Sequence, residues 1–291
     1  MNDVLTFFLS TNNLRIFKLI KDRFNRNISL IIIEILRILD IANCIIEFIR
    51  LEVSRAQSHG VILGLSGGVD SSVAVSLATK ALGNHRVIGL ILPDKKVSEQ
   101  KDIRDAVDIA KLLNIKYQII DITEIKQKYI DLLPVEKIPL GNLTARIRMT
   151  LLYYYANLYN KLVLGTSDKS EMMIGYFTKF GDGASDLLPL ADVYKTQVRK
   201  LGTYLNVPQT ILLKKSTPSL WRNQTAENEI GMEYEKIDNI LKYIEENNSS
   251  ISNKDLVKKG LNKKDVEFIQ NLVLKNIHKK KLPKICYISS E

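Results

Sequence analysis

Ser66-Gly67-Gly68-Val69-Asp70-Ser71-Ser72 follows an apolar run, Val61 to Leu65, and opens a helical pattern through Val73, Leu77 and Ala81. The order is strand, tight loop, helix start. Gly67 and Gly68 let backbone N–H groups approach an anion, the serine hydroxyls add donors, and the helix N-terminus supplies positive potential where phosphate oxygens would lie. The loop lacks the Lys of a G-x-x-x-x-G-K-[ST] phosphate loop and carries Asp70 instead. A carboxylate repels phosphate unless a divalent cation lies between them, so Asp70 predicts bound magnesium. The same residues also suit a plain strand-to-helix turn capped by Ser and Asp.

Outward from this loop the pattern alternates. Strands are expected at Val61–Leu65, Val87–Leu92, Tyr117–Ile120 and Leu162–Leu164. Helices are expected at Val73–Leu82, stopped by Gly83, from about Glu99 to Leu113, and around Thr144–Tyr159. Repeated strand–helix units predict an α/β fold, a doubly wound parallel sheet covered on both faces. Ligands of such sheets sit beyond the carboxyl ends of the strands, where Ser66, Pro93 and Thr166 all fall. Periodicity fails from Phe177 to Leu190 and again from Lys214 to Thr225, and irregular stretches of this length in a compact domain are usually functional or disordered. Helical spacing resumes at Ile230, Tyr234, Ile237, Leu241 and Ile244, and once more between Asp265 and Ile277. The economical reading is one α/β domain with helical N- and C-terminal flanks.

The 291 residues suffice for a large buried core, and 45% hydrophobic with 25% charged residues is ordinary globular composition. A net charge of +10 suits a protein that handles anions, nucleic acid as well as nucleotides. Part of that excess is the late run Lys258-Lys259, Lys263-Lys264 and Lys279-Lys280-Lys281, which also suits a solvated helix face. The two cysteines, Cys44 and Cys286, form no C-x-x-C pair, so a disulfide framework or zinc site is not expected. Met1–Ser10 lacks the basic start of an export signal, so the expected location is cytoplasmic. The apolar segment Ile28–Ile49 is broken by Glu34, Arg37, Asp40, Asn43 and Glu47, with Arg50 continuing the stripe. That spacing predicts an amphipathic helix rather than a membrane span.

Leu164-Gly165-Thr166-Ser167-Asp168-Lys169-Ser170-Glu171 is a second strand end running into a helix. Asp168 and Glu171 stand at capping-box spacing, which gives them a structural role. Glu171 would also face the cleft of Asp70, and two carboxylates from different loops are what a phosphate-bound magnesium can use. Downstream lies Gly175-Tyr176-Phe177-Thr178-Lys179-Phe180-Gly181-Asp182-Gly183-Ala184-Ser185-Asp186-Leu187-Leu188-Pro189-Leu190, and upstream Asn142-Leu143-Thr144-Ala145-Arg146-Ile147-Arg148.

The Ser-Gly-Gly-x-Asp-Ser form resembles the loop of the ATP pyrophosphatases, which holds departing pyrophosphate while a substrate oxygen takes the AMP. With the other blocks, in order and spacing, the chain from about residue 30 onward resembles the ammonia-dependent NAD synthetases. The resemblance implies the adenine nucleotide alpha hydrolase-like fold of the ATP pyrophosphatase type. It also implies a ligase of NAD biosynthesis that amidates deamido-NAD through an adenylate, releasing AMP and pyrophosphate. Carried over by position, it implies that Gly64, Leu65, Ser66, Gly67, Gly68, Val69, Asp70 and Ser71 form the ATP phosphate loop. Thr166, Lys195 and Thr217 match ATP contacts, and Asp70 and Glu171 match magnesium ligands. Arg146, Lys179, Asp186, His278 and Lys279 match deamido-NAD contacts. Lys195 would neutralise phosphate charge; Asp182 is a candidate to deprotonate ammonium or shape the ammonia site. Gln224-Thr225-Ala226-Glu227 stands where Gln-Thr-Asp-Glu is common, and Thr217-Pro218-Ser219-Leu220-Trp221 replaces an Ala-Gly pair. Both departures bear on the second loop, not on the phosphate chemistry.

Glutamine-using relatives carry a large amidase domain ahead of the synthetase, and only about 50 residues precede the first strand here, fewer than an extra domain needs. Free ammonia is the expected donor. The expected division is a helical segment at 1–50, contributing to a homodimer contact, and a synthetase domain at 51–291. ATP, deamido-NAD and ammonia are the expected partners, with no nucleic acid and no membrane. A tRNA-modifying adenylase of the same superfamily and a non-catalytic nucleotide sensor are the competing readings.

Overall fold

The computed structural model describes residues 26–247, 253–286 and 288. The part of the expected 1–50 segment before residue 26 lies outside the described residues. Two compact units divide between Cys44 and Ile45. Helix α1 (Arg26–Arg55) starts in the first. The expected polar stripe is solvent-facing throughout: Glu34, Arg37, Asp40, Asn43, Glu47 and Arg50 are all exposed. In the second unit the apolar face of α1 buries Ile45, Ile49 and Val53. Among the described residues no helix is long and apolar enough to cross a membrane.

The second unit is built on four parallel strands, β1 (Val61–Gly64), β2 (Val87–Ile91), β3 (Lys116–Ile119) and β4 (Leu162–Val163). Their order is β3-β2-β1-β4, and Val61 pairs with both Val87 and Leu162. Helices α2 (Val69–Leu82), α3 (Gln100–Leu112), α4 (Thr123–Ile130) and α5 (Lys137–Leu158) connect them. Ile62, Leu90 and Val163 of the sheet pack with Ile147 and Ala156 of α5. Strands covered on both faces read as continuous apolar runs, which is why β1 shows no alternation.

Helix α5 starts at Lys137, well before the expected Thr144. Pro139 sits in the first turn, where a missing N–H costs no helical bond. Gly141 is a packing site: a Cβ there would lie 2.9 Å from the Trp221 ring. Beyond β4 come α6 (Lys169–Ile174), α7 (Lys195–Tyr204), α8 (Gln209–Leu212) and α9 (Ala226–Ile230). The C-terminal flank comprises α10 (Tyr234–Glu246), α11 (Asn253–Lys259) and α12 (Lys263–Asn276). Tyr234, Ile237, Ile240, Leu241 and Ile244 of α10 form a second core with Leu256, Val266 and Ile269, joined by Ile174 and Tyr194. This core ties the flank to the elements that carry the site.

Candidate active site

Ser66 after β1, Pro93 after β2 and Thr166 after β4 line one cavity of ≈ 380 Å³ beyond the carboxyl ends of the strands, within the size range of small-molecule sites. The convergence expected from strand order is present. Gly64, Leu65, Ser66, Asp70 and Ser71 line it directly, and Gly67, Gly68 and Val69 complete the turn. Ser71 Oγ and Ser72 Oγ donate to the Gly68 carbonyl at 3.1 and 2.8 Å, while Ser66 Oγ accepts from Gly68 N–H at 3.2 Å. Gly67 has φ +75°, and a Cβ there would lie 2.2 Å from the Asp102 carbonyl oxygen, so the turn requires glycine. Lys214 Nζ donates to the Gly67 carbonyl at 3.1 Å and to Asp102 Oδ1 at 2.6 Å, and also pairs with Asp105.

Helix α2 begins at Val69, so Asp70 projects from its first turn. Helix α6 opens with the capping box: Asp168 Oδ1 accepts from Glu171 N–H at 2.8 Å and the Glu171 side chain returns to Asp168 N–H. The capping role expected of this block is present. Lys195, first residue of α7, is fully buried, and its Nζ lies 2.8 Å from Asp70 Oδ2, 2.8 Å from Asp168 Oδ2 and 2.9 Å from Glu171 Oε1. Lys195 does not itself line the cavity; Asp70 and Glu171 do. Burial works to lower the Lys195 pKa, and the three carboxylates more than offset it, holding the ammonium charged. Burial pushes the Asp168 and Glu171 carboxyls above the usual range, with Lys195 opposing.

One ammonium against three carboxylates leaves a formal charge of −2 when all are ionised. Asp70 Oδ1 is buried without a hydrogen-bond partner. An oxygen donor set with that deficit fits a magnesium ion held by Asp70 and Glu171 and completed by phosphate oxygens.

The opposite wall holds Arg148, Asp182, Asn142 and Thr178. Arg148 Nε donates to the Leu92 carbonyl at 3.1 Å and its Nη1 reaches the Pro218 carbonyl at 3.5 Å. Burial lowers its pKa, opposed by Asp94 and Asp182. Asp182 Oδ1 accepts from Thr178 N–H at 2.9 Å. Thr217 and the rest of the second loop form the cover, and Lys137 Nζ stands 4.6 Å from the Trp221 ring centre. Gln224 holds that loop, accepting from Leu220 N–H at 2.8 Å and donating to Glu229, which also accepts from Tyr176 Oη. Ala226, at the departure from the common pattern, is buried with its N–H on the Ser216 carbonyl.

Lys279 closes the last side, its Nζ on the Gly175 and Phe177 carbonyls at 2.8 and 3.1 Å. Lys179, Arg146 and His278 lie outside the lining but form one chain: Arg146 Nη2 donates to the Lys179 carbonyl and Lys179 Nζ to the His278 carbonyl. Asp186 is not brought to the cavity. Its Oδ2 accepts from Val163 N–H at 2.7 Å and its Oδ1 from Tyr153 Oη at 3.3 Å, so it caps the open side of β4. Sequence reasoning passed over Lys214, Arg148 and Glu229, and treated Asp168 only as a cap. Arg148 stood in a quoted block; Lys214 had no local signal.

The family model described as NAD synthase matches residues 41–283. The NH(3)-dependent NAD(+) synthetase of Methanocaldococcus jannaschii is 44% identical over 251 residues, 84% of this chain and 95% of the relative. Among solved structures, an NMN synthetase from Francisella tularensis superposes with TM-score 0.75 at 35% identity, covering 86% of this chain and 99% of that one. The NH3-dependent NAD synthetase of Campylobacter jejuni gives TM-score 0.73 at 34% identity, with the same two coverages. Family match and fold agree with a site that pairs a lysine-free phosphate loop with a carboxylate cluster, and the chain belongs to the NAD synthase family.

Proposed function

We propose that this chain is an ammonia-dependent NAD synthetase, which amidates deamido-NAD to NAD with ATP and ammonia and releases AMP and pyrophosphate. The carrying observation is the convergence of Asp70, from the phosphate loop, and Glu171, from α6, on one buried ammonium at the cavity floor. A carboxylate is a poor electrophile, so its oxygen must first become a leaving group. The deamido-NAD carboxylate attacks the α-phosphorus of ATP and pyrophosphate departs; ammonia then attacks the acyl carbon and AMP leaves.

The loop N–H groups from Ser66 to Ser71 would hold the phosphates, with Thr166 and Thr217 flanking the nucleotide. Magnesium bound at Asp70 and Glu171 would neutralise phosphate charge as pyrophosphate forms. Lys195 keeps those two carboxylates together and adds positive potential beneath them. Lys279 and the Arg146–Lys179–His278 chain would take the dinucleotide, and Asp182 faces the cavity where ammonia must arrive. Trp221 and its loop would exclude water, the competing nucleophile. No step needs a covalent enzyme intermediate; orientation of two bound nucleotides supplies most of the rate. We assign the active species to a cytoplasmic homodimer with the 1–50 segment contributing to the contact, to be checked by native mass in solution.

The test is an assay with ATP, magnesium and deamido-NAD, following NAD, AMP and pyrophosphate with ammonium or glutamine as donor. NAD from ammonium alone, abolished by chelating magnesium, is the expected result. Pyrophosphate release without NAD would move the search to another acceptor. Because the fold is shared with an NMN synthetase, nicotinate mononucleotide is tried in parallel, and faster turnover of it would reassign the substrate.

A further inference from the structure

Tyr234 and Asp238 stand one turn apart on α10, on the same helix face, and both are fully buried beneath Lys195. Asp238 Oδ1 accepts from Ser170 Oγ at 2.5 Å and its Oδ2 from Thr196 N–H at 2.9 Å. Ser170 Oγ in turn accepts from Lys195 N–H at 3.0 Å. Ser170 precedes Glu171, and Thr196 follows Lys195. One carboxylate therefore sets the neighbours of Glu171 and Lys195 relative to each other, using both of its oxygens at the N-terminal end of α7, where an anion is favoured. The Tyr234 ring lies under the ammonium, its centre 5.0 Å from Lys195 Nζ. The Tyr234 hydroxyl is buried without a hydrogen-bond partner. The ring face, not the hydroxyl, is what the site uses.

We propose that Tyr234 and Asp238 are positioning residues for the Lys195 ammonium and, through it, for the Asp70–Glu171 pair on which the ATP step depends. The inference rests on the reading of Lys195 given above. Asn at 238 has the shape of Asp but only one acceptor oxygen: with Oδ1 on Thr196 N–H its NH2 faces Ser170 Oγ as a donor, and the Ser170 O–H loses the carboxylate that it now donates to. Removing the ring leaves the ammonium facing an apolar void on one side, free to tilt away from the carboxylates. Neither residue lines the cavity, so neither is expected to change affinity for ammonia.

The experiment compares the full chain with Lys195→Met, Tyr234→Phe, Tyr234→Leu and Asp238→Asn, measuring kcat, the KM of each substrate and the magnesium requirement for pyrophosphate release. Tyr234→Phe is expected within about twofold of the parent, because only a partnerless hydroxyl is lost. Tyr234→Leu and Asp238→Asn are expected to lower kcat by about tenfold or more with the KM for ammonium unchanged, the usual cost of misplacing a catalytic array. Asp238→Asn should also raise the magnesium concentration for half-maximal rate. Circular dichroism checks folding; if the Leu variant does not fold, the near-isosteric Asp238→Asn decides. A folded Tyr234→Leu at parental kcat, a Phe variant as impaired as Leu, or an Asp238→Asn variant with parental kcat and magnesium requirement overturns the inference. Absence of NAD formation by the parent overturns the functional reading instead, and full activity of Lys195→Met overturns the role given to Lys195.

Discussion

Lys214 and Gly67 are joined across the fold: the Lys214 ammonium donates to the Gly67 carbonyl oxygen at 3.1 Å while its other contacts go to Asp102 and Asp105 of α3. The phosphate loop is thereby tied to α3 through one ammonium. Lys214→Met should loosen the loop and leave two carboxylates facing each other. The KM for ATP is expected to rise about tenfold, with about 1–3 kcal/mol of stability lost. Adding Asp102→Asn should return part of the stability and none of the ATP affinity, as read by urea unfolding and initial rates.

At Gly67 itself the obstacle is backbone. A methyl group would meet the Asp102 carbonyl at 2.2 Å, at a positive φ that disfavours any side chain. Gly67→Ala is expected to displace the loop, lowering turnover about 100-fold and stability by about 1–3 kcal/mol. Far-UV circular dichroism should remain that of the parent; parental kcat and ATP KM would show that the loop tolerates the shift.

Lys195→Met removes the only cation in contact with Asp70, Asp168 and Glu171 among the described residues. Turnover should fall to background. Asp168 and Glu171 already hold protons more tightly in the folded state than in the unfolded chain, and without the ammonium their folded pKa values rise further. A carboxyl with a raised folded pKa is compatible with folding when protonated and costs stability as pH rises through its titration. The deficit of the variant is therefore small at pH 5 and grows toward pH 8, reaching about 3–5 kcal/mol. Denaturant titrations at the two pH values measure it, and a deficit independent of pH would contradict the assignment.

Lys279 lines the cavity and holds the Gly175 and Phe177 carbonyls. Lys279→Met should raise the KM for deamido-NAD about tenfold, the loss of one charge-assisted contact, while the KM for ATP stays within error. A parallel rise in both constants would assign Lys279 to general support of the wall.

Asp186, matched by resemblance to a dinucleotide contact, is bound to Val163 N–H and Tyr153 Oη instead. Burial, together with the adjacent Asp186 carboxylate, pushes the Tyr153 phenol up to about 12. Asp186→Asn should cost about 1–2 kcal/mol of stability and leave the KM for deamido-NAD unchanged. In the same variant the Tyr153 titration should move down toward the ordinary phenol value, observable by ultraviolet absorbance. A raised KM with unchanged stability would return Asp186 to the substrate site.

Strands β1, β2 and β4 were legible because they are short, mostly buried apolar runs leading to Ser66, Pro93 and Gly165, whereas β3 is exposed along its length. Asp70 and Glu171 were legible because both sit at strand ends on one rim, where parallel topology dictates convergence. Helix α5 begins at Lys137, ahead of the expected Thr144, with Pro139 in its first turn and Gly141 as a seat for Trp221. Helix α7 was passed over although it presents Lys195. Tyr234 was legible only as one position of a helical pattern, and Lys214 and Asp238 left no local trace of their contacts: Lys214 acts on a residue 147 positions away and Asp238 on one 68 positions away. Such contacts are products of tertiary packing, which local pattern does not encode.

The cavity wall draws on residues from Gly64 to Lys279, and β1 must wait for β4 before its second edge is paired. During synthesis the phosphate loop leaves the ribosome long before Lys195, Asp238 or Lys279 can reach it. A nascent or truncated chain thus exposes Asp70 without its ammonium, and nucleotide binding in full form is a property that arrives only with the last helices. Domains emerge N-terminal end first at a few residues per second, so this enzyme is made for seconds as a half-sheet that has no catalytic floor.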